Sequence, residues 1–310
     1  MSETEQSRDV YAIITNRIIA QLEEGVVPWH QSWVEAGMPQ NLLTKKPYNG
    51  INALLLACLG YEQNYFLTFK QVNDLKGSVR KGEKSHIVVF WKWPERKKDE
   101  TEEEKEKKRK PMLRYYLVFN IAQCDNIPEK YIPKIKTEDN RPIDVCEEII
   151  EWMPNRPAII HDETYPFYQK IKDFINMPKK EMFDDSESYY EVLFHELIHS
   201  TGHTSRLNRK ELMDNSKDIE AYSLEELTAE IGACYLNNHA GIGKNEFGNS
   251  AAYIHGYLEV LKNDKRFIFY ASSRAQRAVD YILDIHNSNG QGEPQKEEVI
   301  KELEDISDIL

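Results

Sequence analysis

Residues Tyr189 to His203 read YYEVLFHELIHSTGH and set His195, Glu196 and His199 in an HExxH spacing. On an α-helix, positions i and i+4 lie one above the other on the same face. His195 and His199 can therefore put two imidazole nitrogens on one zinc ion at the ~2.0–2.1 Å that zinc–nitrogen bonds require. Glu196, one residue on, falls beside the ion but off the ligand azimuth. A carboxylate there can take the proton of an attacking water, the general-base role in metal-assisted peptide hydrolysis. Val192, Leu193, Leu197 and Ile198 give this helix an apolar stripe, and Gly202 offers it a stop. A core helix carrying two histidines and a glutamate side by side is costly unless something neutralises them.

Hydrolytic zinc takes three protein ligands and keeps one position open. The longer spacing HExxHxxGxxH would need a histidine at 205, where Ser205 stands, and His203 comes two residues too early. A carboxylate from a second helix is the other solution. Residues 223–239, SLEELTAEIGACYLNNH, predict that helix, with Ser223 as N-cap and Glu226 at the third position of a capping box. Glu226 and Glu230, four apart, resemble the ExxxD pattern of the thermolysin-like peptidases with Glu in place of Asp. On this reading Glu226 is the third zinc ligand and Glu230 orients a ligand imidazole. The competing reading makes Glu226 a cap for its own helix and puts Glu225 and Glu230 on a solvated face.

The elements around this pair belong to a chain of 310 residues, long enough for two domains. Hydrophobic residues at 40% and charged residues at 30% describe a soluble protein with a substantial core. No apolar run approaches the ~18 residues of a membrane span. The polar start MSETEQSRDV carries no signal peptide, which points to the cytoplasm. Cys58, Cys124, Cys146 and Cys234 form no CxxC pair and read as reduced thiols. A net charge of -12 argues against a simple nucleic-acid binder, yet it is unevenly placed. Residues 1–130 hold 20 Lys and Arg against 18 Asp and Glu, a balance of +2, which leaves 20 against 34 in residues 131–310. Any polyanionic partner should meet the first half.

Hydrophobic periodicity predicts helices over Val10–Leu22, Ile51–Leu59, 144–153, 188–202, 223–239, 250–262 and 272–285. His86–Trp93 and Leu113–Asn120 read as strands, and Phe66–Asn73 leads toward a short helix. Between the two strands lies a mixed-charge run, residues 94–111, expected to be a solvated hairpin tip. Prolines 128, 133, 142, 154 and 157 punctuate a connector. NSNGQGEPQ reads as a linker to a tail with the apolar spacing of a short amphipathic helix.

In the first half aromatic residues alternate with cations. Single strands are bound by cationic grooves with aromatic faces on which bases stack. Candidates for that role are Trp29, Tyr48, Asn49, Lys70, Arg80, Lys81, Lys84 and Trp91. Each aromatic taken alone is more readily a core residue. The cluster Arg80–Lys84 is harder to assign to a core, because Gly77 and Gly82 expose its backbone as a phosphate-gripping turn requires.

PYNGIN (47–52), LTFKQV (67–72), GSVRKGEKSHIVVFWKW (77–93) and YLVFNIAQC (116–124) resemble the N-terminal domain of the ArdC-type antirestriction proteins. FHELIHSTGHTSRLNR (194–209), YSLEELTAEIGACYL (222–236) and segments within 251–283 resemble the metallopeptidase domain of the same family. The resemblance runs through residues 8–286 and leaves out the charged run and the tail. It implies a single-stranded-DNA-binding module joined to a zincin-like peptidase domain, carried by conjugative plasmids and other mobile elements.

The resulting expectation is a cytoplasmic α+β protein of two domains. Residues 1–130 bind single-stranded DNA, 131–154 connect, 155–286 form a mainly helical zincin-like metallopeptidase domain, and 287–310 are a flexible tail. Zn2+ is held by His195, His199 and Glu226, with Glu196 as catalytic base and a protein as the substrate of the site. Two rival functions remain open. One is a DNA-dependent protease acting on proteins bound or crosslinked to DNA. The other is a DNA-binding protein whose zinc is structural, closed by His203 as a fourth ligand.

Overall fold

The predicted apolar stripes become helices, most with bounds within two residues of those expected, while the helices expected at 223–239 and 272–285 begin four and five residues earlier. The computed structural model describes residues 9–24, 27, 38–57, 59, 61, 63–92, 112–132, 142–183, 185–213, 219–242 and 251–285. In chain order the elements are α1 (Val10–Glu23), β1 (Gln40–Asn41), α2 (Ile51–Ala57), β2 (Tyr65–Thr68), α3 (Phe69–Asp74), β3 (Ser78–Val79), β4 (His86–Lys92), β5 (Met112–Asn120) and β6 (Cys124–Asp125). There follow α4 (Pro142–Trp152), β7 (Ala158–Ile160), β8 (Phe167–Gln169), β9 (Phe174–Asn176), α5 (Ser186–Thr201), α6 (Lys210–Met213), α7 (Ile219–Ala240), α8 (Ala251–Asn263) and α9 (Phe267–Ile282). No helix among the described residues is long and apolar enough to cross a membrane. The charged run and the tail lie outside the described residues.

Contacts gather the chain into two units, one of residues 66–132 and one of residues 11–65 with 133–286. In the first, β2, β5 and β4 form an antiparallel sheet in that order, with Phe66 opposite Asn120 and Val88 opposite Tyr116. Thr68 ends β2 and caps α3 in a reciprocal box with Gln71. Phe66, Val72, Val88 and Val118 fill the core. Gln123 organises the turn that precedes β4. Its amide nitrogen donates to Glu83 at 3.1 Å and to the Lys84 carbonyl at 2.9 Å, and its oxygen accepts from the Asn120 amide at 2.8 Å.

The second unit is built on α5, α7 and α9, which pack side by side around Tyr190, Phe194, Leu197, Leu227, Ile231, Tyr235 and Phe267. A small sheet ordered β7–β9–β8 lies against α5, with β7 parallel and β8 antiparallel to β9. The division by contacts also breaks near residue 130, between 132 and 133, but it groups α1 and α2 with this unit and not with residues 66–132. Thr15 donates to the Lys265 carbonyl at 2.6 Å, Tyr11 packs edge-on to Phe269, and the Tyr235 hydroxyl donates to the Gly50 carbonyl at 2.8 Å. Periodicity says that Ile14, Ile18 and Leu22 face a core, but not whose core it is.

α5 and α7 pack tightly where Gly232 meets Ile198. A Cβ at residue 232 would lie 2.7 Å from Ile198 Cδ1 and 2.9 Å from its Cγ1. Alanine favours a helix over glycine by roughly 0.5–1 kcal/mol, whereas overpacking a tight core costs about 1–3 kcal/mol. Gly232→Ala should therefore lower stability in urea titrations. Gly256→Ala, also helical but with nothing within 4 Å of the added Cβ, should raise it. A stabilised Gly232→Ala would mean that this crossing is loose.

Candidate metal centre

α5 starts where the Asp185 carboxylate accepts the Ser188 amide at 2.9 Å and ends at Gly202. Between these caps, one face presents His195 and His199 with their Nε2 atoms 3.1 Å apart. α7 supplies Glu226, whose two carboxylate oxygens lie 3.7 Å from His195 Nε2 and 3.7 Å from His199 Nε2. A tetrahedral ion with bonds near 2.05 Å separates its ligand atoms by about 3.3 Å. The three side chains thus stand close to the spacing that one divalent ion requires, and they are the one such group among the described residues.

The capping box expected at Ser223 does not form. α7 begins at Ile219, one turn earlier, so Ser223 is interior and buried. Glu226 is consequently not engaged as a cap at the helix start. It shares its carboxylate with the hydroxyl of Tyr222, one turn before it on the same helix. Burial pushes the Glu226 carboxyl above its ordinary range, with Glu230 and Glu225 adding to the rise.

The carboxylate partner of His199 is Glu225, in place of the expected Glu230. His199 Nδ1 lies 3.1 Å from Glu225 Oε1, while Glu230 accepts from the Tyr257 hydroxyl at 2.8 Å. Glu225 is 5% exposed, which overturns its placement on a solvated face. Arg209 grips it with two parallel bonds, Nη2 to Oε1 at 2.6 Å and Nε to Oε2 at 2.8 Å. Burial alone would raise the Glu225 carboxyl, but the hydrogen bonds from Arg209 and His199 outweigh it and hold it at about 2. Burial would likewise lower the His199 imidazole. Glu225 and the nearby charges of Glu226 and Glu196 instead raise it to about 9.

Glu196 is 8% exposed, and burial raises its carboxyl above the ordinary range despite a backbone hydrogen bond from Tyr168 on β8. Arg206 holds β8 in place. Its buried guanidinium donates to the Ser200 carbonyl at 2.7 Å, the Tyr168 hydroxyl at 3.1 Å and both oxygens of Asp173. His203 sits 2.8 Å from Ser205 Oγ and stands outside the converging ligand group. Sequence reasoning missed Glu225, Arg209, Arg206 and Tyr222. The signal for the arginines was a demand for charge, since a buried cluster of carboxylates needs cations nearby.

The candidates for DNA contact divide between the units. Lys81 and Lys84 are exposed on either side of Gly82, whose φ of +93° only glycine adopts readily. Arg80 is committed to its own turn, donating to the Ala122 carbonyl and to Glu83 at 3.1 Å. Lys70 is half-buried. Tyr48 is 8% exposed and fills core space, so its ring offers no stacking face, although Asn49 beside it is exposed. Both belong to the unit of 11–65 with 133–286. Trp29 lies outside the described residues. Trp91 is 45% exposed, and the register places it on the same face as Tyr115, itself 39% exposed. Phe119 continues that face and packs against the exposed Phe69 with ring centroids 6.3 Å apart. Tyr115 and Phe69 thus extend the aromatic row that Trp91 begins.

The raised His199 pKa has a measurable sign. A folded value of about 9 against an ordinary 6.5 means that the imidazolium contributes stability in full below pH 6.5 and loses it as pH rises through about 9. With metal removed by chelation, the wild type should lose stability relative to His199→Gln across that interval. Urea midpoints with a constant gap would show that His199 is not so held.

Residues 8–119 match the N-terminal domain of anti-restriction factor ArdC, and residues 147–274 match a zincin-like metallopeptidase domain. The uncharacterized protein y4eC of Sinorhizobium fredii (strain NBRC 101917 / NGR234) is 31% identical over 286 residues, covering 88% of this chain and 91% of that protein. A DNA primase TraC of Escherichia coli is 30% identical over 297 residues, and this chain spans only 20% of that relative's length. The crystal structure of the metal-free antirestriction ArdC protein from the R388 plasmid superposes with a TM-score of 0.74 at 36% identity, over 89% of this chain and 97% of that one. Its Mn(II)-bound structure gives 0.71 at the same identity, over 91% and 100%. Two domain matches in the order of the motifs, together with likeness along nearly the whole length of a solved relative, place the chain in a family: it belongs to the ArdC antirestriction proteins.

Proposed function

We propose that this protein is an antirestriction factor of a mobile element that binds single-stranded DNA and carries a zinc peptidase site. The observation that carries the reading is the convergence of His195, His199 and Glu226 beside the buried carboxylate of Glu196. The relative solved with Mn(II) supports a divalent ion as a cofactor, and two imidazoles with one carboxylate form a donor set suited to zinc. When bound, such an ion polarises a peptide carbonyl and eases the ionisation of water. Glu196, next to the first ligand, accepts the proton of the attacking water and returns it to the leaving amine. His199 and His195 present Nε2 from one helix face, and Arg206 keeps β8 beside Glu196. His203 stands outside the converging group, which favours a three-residue protein set over a closed structural site.

The DNA role rests on the unit of residues 66–132. Its described residues, 66–92 and 112–132, carry 8 Lys and Arg against 4 Asp and Glu, a balance of +4 in a chain of net -12. The row Trp91, Tyr115, Phe119 and Phe69 offers stacking faces. The likeness to DNA primases TraC fits a module that works where single strands are present. Coating a strand needs no peptide hydrolysis, so protection from restriction is assigned to binding.

Full-length variants separate the two roles. Trp91→Ala should weaken single-strand binding by about 1–3 kcal/mol with little change in salt dependence. Lys81→Glu should weaken binding to all sequences alike and flatten the salt slope. Fluorescence anisotropy on labelled single strands and duplexes reads both, and equal affinity for the two forms would remove the proposed DNA role. In transfer assays into a restricting host, Glu196→Gln should protect as the wild type does. Failure of Glu196→Gln with DNA binding intact would shift the reading to a protease that acts on DNA-bound proteins.

A further inference from the structure

We infer that Arg209 and Glu225 are positioning residues for the metal, locking the tautomer and ring orientation of His199. The inference rests on the metal reading of the site.

An imidazole can give only one nitrogen lone pair to an ion, and the partner of the other nitrogen decides which. Glu225 Oε1, 3.1 Å from His199 Nδ1, is a carboxylate that only accepts, so the proton stays on Nδ1 and Nε2 is left for the ion. A lone carboxylate on a long side chain would hold the ring loosely. Here the carboxylate is itself clamped, for Arg209 binds both of its oxygens in a planar fork.

The same guanidinium is tied to the helix that carries His199. Its Nη2 donates to the Ile198 carbonyl at 2.8 Å and its Nη1 to Thr201 Oγ1 at 2.5 Å. Arg209 therefore bridges the last turn of α5 to Glu225 on α7, and the ring stands between the two anchors. Side chains of Arg209 and Glu225 are each 6% exposed, so water does not compete for these bonds. Gly202 makes the room. A Cβ there would lie 3.0 Å from Arg209 Nη2 and 3.1 Å from its Cζ, as well as 2.7 Å from Leu212 Cδ2. The φ at Gly202 is -73°, so this glycine is required for space and not for backbone conformation.

Charge supports the same role. Glu225 stands next in sequence to the ligand Glu226 and faces His199 in the same seam. Paired with Arg209 it contributes no net charge there, and the ion would meet one ligand anion and two neutral rings. Lysine cannot replace this geometry, because a single ammonium cannot fork onto both carboxylate oxygens while also meeting the Ile198 carbonyl.

The test is zinc affinity of the full-length protein, measured by competition with a chromophoric chelator. Glu225→Gln and Arg209→Lys should each bind zinc about 10–100-fold more weakly than the wild type. Glu230→Gln, a change to a carboxylate on the same helix outside this chain of contacts, should stay within about threefold. Near-UV circular dichroism identifies a variant that has lost its packing. For Arg209→Lys or Glu225→Gln so affected, the second variant carries the test. In zinc-loaded protein labelled with 15N-histidine, the Nδ1–H signal of His199 should move in Glu225→Gln and not in Glu230→Gln. Folded Glu225→Gln and Arg209→Lys proteins with wild-type zinc affinity would overturn the inference and leave the pair as a helix staple. Equal weakening by Glu230→Gln would overturn it too, in favour of general electrostatics. A wild type that takes up no zinc would instead defeat the metal reading itself.

Discussion

Five ionisable side chains share one buried seam between two helices: His195, Glu196 and His199 from α5, with Glu225 and Glu226 from α7. Apart from a bound ion, this is an expensive arrangement, because buried charges must be paired or neutralised. Much of the zincin-like unit is arranged around that constraint. Arg209 cancels Glu225, Arg206 ties β8 to the end of α5, and Gly232 lets the helices approach until ligand atoms from both stand within 3.7 Å. Burial raises the two remaining carboxyls, Glu196 and Glu226, as expected for anions short of a counter-charge. The geometry and the charge imbalance therefore call for the same thing, a divalent cation.

The seam also explains which parts of the site were legible in the sequence. A spacing of four on one helix fixes its own geometry, so His195, Glu196 and His199 could be read directly. Glu226 could be named as a candidate because a third donor from a second helix was required, and its side chain does converge with the two histidines. The partner of His199 could not be found that way, since it depends on which face of α7 turns toward α5. Gly232 marks that face by its contact with Ile198. Seven residues return almost to the same azimuth on a helix, with a drift of about 20°. Glu225, seven residues before Gly232, therefore points toward α5, while Glu230 accepts from the Tyr257 hydroxyl. The glycine was visible in the sequence, but its meaning was set only by the neighbour it meets.

The domain division illustrates the same limit. The helices α1 and α2 precede the aromatic and basic segment, and their order suggested a common domain. Their apolar faces are completed by residues 133–286 instead, leaving residues 66–132 as a separate unit. The match to the ArdC N-terminal domain spans 8–119 and crosses this division. In the same way Tyr48 carried the composition of a stacking residue but is consumed by packing, while Trp91 and Tyr115 stay accessible on a sheet face.

The proposed function stands on one divalent ion held by two imidazoles from α5 and one carboxylate from α7. X-ray absorption at the zinc edge of the zinc-loaded, full-length protein tests it most directly. The expected signal is scattering from two imidazoles at about 2.0–2.1 Å, the remaining donors being oxygen, with no sulfur at about 2.3 Å. A third imidazole, or a thiolate in the coordination sphere, would contradict it.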